Sequence, residues 1–499
     1  MLNGRKEQSM GRITKCYRRE TKQEQGIYHN FVYRIIYMIY TMKIKNLLIP
    51  VFLSPAAINA ENLPNIVFVL VDDMGIGDIN CYYSQPKIQT PNIDKLASKS
   101  LQFMQHYSGS TVSAPSRCCL LTGKHTGNAY IRGNKGVKNA EGIFDLHLPA
   151  NETTVAEVLK QKGYSTMCVG KWGLGGPKTS GSPINKGFDY FFGYLSQGDA
   201  HRYYPEYLYE NENKIQLGGK VYSHWLILEK GLNFIKSRKK EEPYFAYFAI
   251  TPPHADLDYP DISQYQGKFS ETPYINKNGK RGFKTQMAPK ATYASMISEI
   301  DRSVEKIISL IKERGEWENT IFIFSSDNGV HCVGGHDPKF FDSNGPFRGY
   351  KRDLYEGGIR TPFIFSWPKH IKEHRQTSHI SAFWDFLPTV CDIVNTEVPK
   401  GVNGISYLPV LLNEEDKQPQ HEYIYFEFYE AGGKQSILKD GWKLVRLNLS
   451  KPNKLVEELY YLPHDIGEEH NLIENNRSKA EELKKLANKA HTSNPEFNW

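Results

Sequence analysis

Four uninterrupted apolar runs of strand length divide the chain, and polar residues follow each of them. The runs cover residues 66–71, 166–169, 244–250 and 321–324. Continuous apolar runs are typical of strands buried on both faces, as in parallel sheets. Helical spacing of apolar residues lies between them, most clearly over 154–162 and 291–314, each followed by glycine. The alternation predicts an α/β fold: a large mixed, mostly parallel sheet sandwiched by helices.

The pattern changes near residue 400. Short β-type segments at 423–429, 437–438 and 442–447 are separated by glycine-containing turns, and a charged helical stretch at 478–490 follows. This predicts a small C-terminal subdomain, an antiparallel sheet with one helix on it. We therefore expect a catalytic α/β domain over 61–400 and this subdomain over 401–499.

Acidic residues follow two of the apolar runs. Asp72 and Asp73 end the first run, and Asp327 and Asn328 come after the last. Ligands gather at the carboxyl ends of strands in open α/β sheets, so these side chains should lie together. Adjacent carboxylates repel unless a cation intervenes, and oxygen ligands favour Ca²⁺ or Mg²⁺. Ordinary turn chemistry could explain either pair alone. Both pairs together predict a metal site.

Residues 113–117, SAPSR, predict the start of a helix. Pro115 suits a first helical turn, the apolar residues 118–121 continue it, and Gly123 can end it. Ser113 should then lie just ahead of a helix N-terminus, where unpaired N–H groups favour anions. Arg117, one turn later, offers a planar fork for tetrahedral oxyanions.

Three further residues follow predicted strands or loops at the same edge: Lys171, His254 and Lys351. Isolated lysines are usually solvated, and a histidine after a strand is usually a structural hydrogen-bonding group. The location of the two lysines at the predicted edge favours a functional interpretation for them, whereas His254 taken alone is better explained as a structural residue.

Taken in order, these motifs resemble the type I sulfatases of the alkaline phosphatase superfamily, in the subgroup with serine at the first signature position. The resemblance covers about residues 62–475. It implies that Ser113 is converted to formylglycine by a maturase before export. It further implies that Asp72, Asp73, Asp327, Asn328 and the oxygen on residue 113 bind the metal. Arg117, Lys171 and Lys351 would then contact sulfate, and His254 would act as general acid.

One position departs from the family pattern. Many sulfatases have histidine where this chain has Gly173, and that histidine is the base that regenerates the aldehyde. Another group must take the proton here. His125, twelve residues after Ser113 in sequence, is the first candidate, with His201 and His331 as alternatives.

The resemblance implies sulfate-ester hydrolysis, and we expect an exo-acting enzyme on sulfated carbohydrate, with galactose or N-acetylgalactosamine sulfate preferred. His201, Arg202, His331 and His336 are candidate substrate-binding residues. A phosphodiesterase or phosphatase of the same superfamily and a non-catalytic glycan-binding relative remain alternatives.

The net charge of +7 comes from the first 45 residues, and the remainder is balanced. A nucleic-acid partner is therefore not expected. A basic segment after Met42, an apolar stretch over 47–57 and small residues at 58–60 predict a signal peptide. Residues 1–60 would be a leader, with Met42 a possible start. We expect a periplasmic or secreted protein with no membrane span after cleavage.

Overall fold

A ten-stranded mixed sheet organises the part of the chain that this computed structural model describes, residues 63–139, 142–279 and 282–499. Its strands and those of the smaller sheets are β1 (Asn65–Val71), β2 (Leu101–Phe103), β3 (His106–Tyr107), β4 (Gly136–Asn139), β5 (Gly142–Asp145), β6 (Ser165–Lys171), β7 (Tyr190–Tyr194), β8 (Tyr207–Glu210), β9 (Asn213–Gln216), β10 (Tyr244–Ile250), β11 (Thr320–Ser326), β12 (Phe363–Ser366), β13 (Arg375–Thr377), β14 (Ser381–Ala382), β15 (Ile424–Phe428), β16 (Lys434–Lys439), β17 (Trp442–Leu447) and β18 (Val456–Tyr461).

Helices cover both faces of this sheet. In chain order they are α1 (Pro91–Ala97), α2 (Ser113–Thr122), α3 (Val155–Gln161), α4 (Ser223–Lys236), α5 (Pro289–Glu313), α6 (Pro338–Phe341), α7 (Glu356–Ile359), α8 (Phe386–Ile393), α9 (Leu408–Leu411) and α10 (Arg477–Ala490). One apolar cluster contains residues of α2, α3 and α8, and a second, on the other face, contains residues of α4 and α5. The two clusters explain why the central strands lack any polar face.

The predicted mostly parallel sheet is confirmed. The strand order is β13-β2-β12-β11-β1-β10-β6-β7-β8-β9, and the five strands from β11 to β7 are parallel. Val71 pairs with Ile250 on one side and with Ser326 on the other. The carboxyl ends of β1, β10 and β11 therefore lie at the same height, which places the residues after them at one edge.

Local signals set the helix boundaries. Thr154 caps α3: its side chain accepts the Glu157 N–H, and the Glu157 carboxylate accepts the Thr154 N–H in return. Gly123 ends α2 in the left-handed conformation, as the sequence predicted. The start of α2 differs from the prediction, since the helix already includes Ser113 and leaves Pro115 at its third position. Val112, in extended conformation, is the residue before the helix.

The C-terminal subdomain is the expected antiparallel sheet with a helix. Strands β15 to β18 pair in sequential order, and α10 covers one face through its buried leucine and alanine residues. The sequence did not predict β18 as a strand, because its first three residues are exposed or half-buried and two of them are charged.

Buried charges join this sheet to the main body. Lys443 Nζ on β17 lies 2.8 Å from both Glu356 and Glu468. The second oxygen of Glu356 accepts hydrogen bonds from Tyr107 and Arg360 at 2.9 and 3.1 Å. We call these five residues the interface cluster.

No helix within the described ranges is long and apolar enough to cross a membrane. The predicted leader, residues 1–60, lies outside those ranges.

Candidate active site

The carboxyl edge of the parallel strands gathers the polar residues that the sequence singled out. Asp72 and Asp73 follow β1, Asp327 and Asn328 follow β11, and Lys171 is the last residue of β6. Lys351 and His254 reach the same edge from the loops after β11 and β10: Lys351 Nζ lies 2.7 Å from Asp73 Oδ2 and His254 Nε2 lies 3.7 Å from it. We call Asp72, Asp73, Asp327, Arg117, Lys171 and Lys351 the edge cluster.

Ser113 lies within this cluster at the first turn of α2. Its Oγ donates a hydrogen bond to Asp72 at 3.1 Å and accepts one from Lys171 at 3.1 Å. The residue is buried, with 1% of its surface exposed. A helix N-terminus places backbone N–H groups and a positive dipole behind this oxygen. The position therefore suits an oxygen that acquires or receives negative charge.

The acidic members are held by one another and by amide groups. The Asp73 N–H donates to Asp327 at 3.2 Å, and the Asn328 side chain donates to Asp73 at 2.7 Å. Asn328 Oδ1 is buried and has no hydrogen-bond partner in the described structure. One ligand atom from each of Asp72, Asp73 and His254 lies within 4.8 Å of the others. Buried carboxylates beside an unsatisfied amide oxygen fit a hard divalent cation.

Three cations balance the three carboxylates. Lys171 Nζ lies 2.6 Å from Asp72, and Arg117 bridges Asp327 at 2.9 Å and Asp72 at 3.4 Å. Lys351 completes the set through Asp73. Lys171 Nζ also contacts Ser113 Oγ at 3.1 Å, so this cluster of cations suits the oxygens of a tetrahedral anion bound beside Ser113.

The pKa values of the carboxyl groups diverge. Burial acts to raise the pKa of Asp72, but Lys171 and Arg117 outweigh it and lower the value to about 2. Burial raises the pKa of Asp73, and burial with repulsion from Asp72 raises that of Asp327 to about 6. The raised pKa values of Asp73 and Asp327 mean that the three side-chain cations do not fully offset burial and mutual repulsion, which is the second reason that the residues fit a metal.

His254 lies beside Asp73, one of the metal candidates. Burial, and then the charges of Lys171 and Lys351, hold the pKa of this histidine well below its usual range. Its Nδ1 is buried without a partner in the described structure. The ring centroids of His201 and His254 are 4.4 Å apart, and His201 Nδ1 lies 2.7 Å from the Ala255 carbonyl oxygen.

The other predicted substrate-binding residues differ in placement. Arg202 is largely exposed and pairs with Asp256. His331 is buried, and its Nε2 lies 3.1 Å from the Pro253 carbonyl oxygen. His336 is buried against Tyr293 with ring centroids 3.6 Å apart. His336 is therefore not at the open side of the edge cluster, because its ring is stacked inside the second apolar cluster.

His125 is not brought to the site. It follows the C-terminal end of α2, whereas Ser113 begins that helix, a separation of about 15 Å along ten residues. Its ring contacts Trp384 at 5.9 Å and Tyr425 at 5.3 Å, and burial lowers its pKa to about 4. The expectation that His125 supplies the missing base is corrected. The two residues are close in sequence, but helix α2 separates them in space.

Another side chain fills the space beside Gly173. Gly173 has a φ of +77°, and a Cβ atom there would lie 1.8 Å from Nε2 of Gln197. That nitrogen is buried without a hydrogen-bond partner among the described residues. The Gln197 backbone N–H donates to Asp145 at 2.7 Å. A histidine at position 173 would therefore have to displace Gln197.

Gln197 and Asp145 are the residues near the site that the sequence did not reveal. Burial raises the pKa of Asp145 to about 7, and the charge of Lys171 opposes this shift. The two residues come from the loop after β7 and the end of a short hairpin strand, with no motif around them. Only the three-dimensional packing identifies them.

Comparisons with known proteins agree with this geometry. The family model described as Sulfatase matches residues 64–396, and that described as N-sulphoglucosamine sulphohydrolase, C-terminal, matches residues 345–494. N-acetylgalactosamine-6-sulfatase of Rattus norvegicus is 30% identical over 402 residues, 74% of this chain and 70% of that protein.

Solved structures share the fold. A protein of Bacteroides thetaiotaomicron, solved in work on its metabolism of multiple glycosaminoglycans, gives a TM-score of 0.68 at 25% identity, covering 86% of this chain and 99% of that one. A protein crystallised with a neocarrahexaose gives 0.70 at 23% identity, covering 86% and 93%.

Proposed function

The chain belongs to the sulfatase family, the sulfuric ester hydrolases, and on that premise we propose that it removes sulfate from the ends of sulfated carbohydrate chains. The observation that carries the proposal is Ser113 at a helix N-terminus, between Asp72 and Lys171 and within a cluster of paired charges. We further propose that Ser113 is converted to formylglycine and that Asp72, Asp73, Asp327 and Asn328 hold Ca²⁺, with Mg²⁺ as the alternative.

The chain's own residues supply most of the chemistry. A bound dication would withdraw charge from the sulfate oxygens, and a hydrated aldehyde at position 113 would supply the attacking oxygen. Lys171, Lys351 and Arg117 bind the remaining sulfate oxygens and stabilise the charge that grows on them. The buried setting strengthens each of these contacts, because little water competes for the charges.

His254 donates the proton from Nε2 to the departing sugar oxygen. A histidine beside two lysines loses its proton readily, but a bound sulfate anion would offset those lysine charges and favour the protonated ring. An alcohol is a poor leaving group without a proton, so this residue matters most for sugar substrates.

The substrate class is inferred from residues next to His254 and from the relatives. His201 lies beside His254, with ring centroids 4.4 Å apart, and Arg202 follows it with a partly exposed side chain; both carry hydrogen-bonding groups suited to a polar ring. The relative with 30% identity is named for N-acetylgalactosamine 6-sulfate, and a structural neighbour was crystallised with a neocarrahexaose. We propose galactose or N-acetylgalactosamine sulfate as the preferred end group.

Peptide mass spectrometry and hydrolysis assays test the proposal together. Protein from a host with the maturase should show loss of two hydrogens at Ser113 and should release sulfate from sulfated galactose or N-acetylgalactosamine. Matched phosphate esters should react far more slowly, and Ser113→Ala should be inactive. Unmodified serine with faster phosphate release would favour a phosphatase, and full modification without sulfate release would favour a glycan-binding relative.

We also propose that the protein is exported after its maturase has acted. The support is the signal-like segment after Met42. Edman sequencing of the mature protein should begin at or near Glu61. A mature chain that retains residues 42–60 would contradict export by this route.

A further inference from the structure

A second concentration of charge lies at the opposite edge of the main sheet. Trp317 and Glu318 directly precede β11, and Ser366 pairs with Phe322 near the start of that strand. Because β11 has seven residues, this amino edge is about 20 Å from the edge cluster.

A groove of about 400 Å³ opens there between α1, the end of α5 and the segment after β12. Its floor is apolar, since Leu96, Ile308 and Ile371 are each less than 10% exposed. Trp317 forms part of its wall and is half-buried. The four cations along it, contributed by all three segments, are Lys95, Lys99, Lys312 and Lys372.

Two carboxylates, Glu305 and Glu318, also line the groove, so its four cations outnumber its acidic groups by two. Lys372 lies 3.7 Å from Glu318, with both side chains largely exposed. Within the described residues, Lys95, Lys99 and Lys312 form no ion pair, although Lys312 Nζ lies 5.1 Å above the Trp317 ring. The pKa of Lys312 is lowered by burial and then by repulsion from Lys95 and Lys99. An anion in the groove would relieve this repulsion.

The lysines together with the aromatic and apolar lining indicate which class of anion the groove suits. A simple patch of surface lysines would attract any polyanion through screened Coulomb forces. This groove instead adds an aromatic side chain, Trp317, and an apolar floor to the cations. Aromatic rings pack against the apolar faces of sugars, and spaced ammonium groups match sulfates carried on successive rings.

We propose that the groove is a second glycan-binding site, which holds an internal stretch of a sulfated polysaccharide by pairing sulfates with Lys95, Lys99 and Lys312 and a sugar ring with Trp317. The choice of a sulfated glycan rests on the proposed function, whereas the groove itself does not. Its separation from the edge cluster means that binding here leaves the reacting chain end free.

Binding to intact polysaccharide tests the proposal. In a Ser113→Ala background, which prevents turnover, affinity for chondroitin sulfate and for carrageenan is measured at low and at physiological salt. The triple variant Lys95→Ala/Lys99→Ala/Lys312→Ala should bind about tenfold more weakly, about a factor of two for each lysine. Its affinity should also fall less steeply with salt.

A matched control removes three exposed lysines elsewhere: Lys451→Ala/Lys454→Ala/Lys485→Ala. This variant should bind as the parent does. With Ser113 restored, both triple variants should hydrolyse a sulfated monosaccharide at the parental rate, which separates failure of the groove from failure of the proposed enzyme. Equal weakening in both triple variants, or parental binding by the groove variant, would overturn the proposal.

Trp317→Ala distinguishes a sugar site from a charged patch. The affinity should fall while the salt dependence stays parental, because stacking is not screened. Chondroitin without sulfate and polyglutamate should bind poorly to the parent. Polyglutamate or DNA binding as tight as that of the sulfated polymer would show a general polyanion site and overturn the assignment.

Discussion

The edge cluster and the interface cluster both contain buried carboxylates paired with cations, yet their surroundings differ in how the polar atoms are hydrogen-bonded. In the interface cluster both oxygens of Glu356 are bonded, to Lys443 on one side and to Tyr107 and Arg360 on the other. Beside the edge cluster, Asn328 Oδ1 and His254 Nδ1 are buried without hydrogen-bond partners in the described structure. Glu468 Oε1 in the interface cluster also lacks a hydrogen bond in the described structure, but it lies 2.8 Å from Lys443 Nζ. Buried polar atoms without partners are costly, so the amide oxygen and the ring nitrogen beside the edge cluster fit a ligand-binding site.

The comparison teaches that buried ion pairs alone do not identify an active site. The interface cluster joins two sheets and its charges face one another. The edge cluster lies at the carboxyl ends of parallel strands, where ligands bind in open α/β sheets. Substitutions in the two clusters should therefore separate activity from stability.

The largest effect is expected for Asp73→Asn. This change should abolish divalent-cation binding and lower kcat/KM by about 10⁴-fold, because cation and sulfate positioning are lost together. Metal content by mass spectrometry and sulfate release by ion chromatography check this. Exposed Asp261→Asn is the control and should be neutral. Parental metal content in Asp73→Asn would contradict the assignment.

Lys443→Met, in the interface cluster, should lower stability and leave activity unchanged. Removing this cation leaves Glu356 and Glu468 buried together, which should cost about 3 kcal/mol in the free energy of unfolding. The kcat of the folded fraction should stay parental, because the edge cluster is untouched. Urea unfolding with activity measured at each step checks both quantities, with exposed Lys454→Met as control. A lower kcat at unchanged stability would reverse the comparison.

His254→Ala separates proton donation from metal binding within the edge cluster. We expect kcat on a sulfated sugar to fall by about 100-fold, with much less effect on an aryl sulfate, whose phenolate leaves without a proton. Metal content should remain parental. Equal losses on both substrates, with loss of the cation, would make His254 a ligand instead.

Asp145→Asn should stabilise the protein at high pH. A folded-state pKa of about 7, above the unfolded value, means that the folded protein holds the proton more tightly. The associated stability is present below about pH 4 and is lost as the pH rises through 7. The asparagine variant should have a free energy of unfolding about 2 kcal/mol higher than the parent above pH 8 and equal to it near pH 4. This figure is reduced to allow for the partial exposure of the side chain. Parallel melting curves at both pH values would refute the shift.

The smallest effect is expected for His125→Phe. The ring lies among aromatic side chains, and its Nδ1 accepts the Gly127 N–H at 3.1 Å. Losing this one hydrogen bond should lower the free energy of unfolding by about 1 kcal/mol and leave kcat unchanged. Thermal melting and sulfate release check this. A large loss of activity at parental stability would restore His125 as a catalytic candidate.

The sequence predicted what depends on short-range patterns. The central strands are apolar throughout and end in charged residues, so their parallel pairing and the carboxyl-edge site followed from the sequence. The structure corrected the predictions that depend on which residues are neighbours in space. His125 is close to Ser113 along the chain but at the other end of α2, and Gln197 reaches Gly173 from a loop without any motif. Strand β18 was missed because its exposed end is charged.

The burial of Ser113 determines when it can be modified. Once α2 is seated against the central sheet, 1% of this residue is accessible, and no second protein can reach its Oγ. If Ser113 becomes formylglycine, the maturase must therefore act while this stretch is still unfolded. The yield of active protein would then depend on the competition between oxidation of Ser113 and folding of the chain around it. Faster folding of the catalytic domain would lower the modified fraction even when the maturase is abundant.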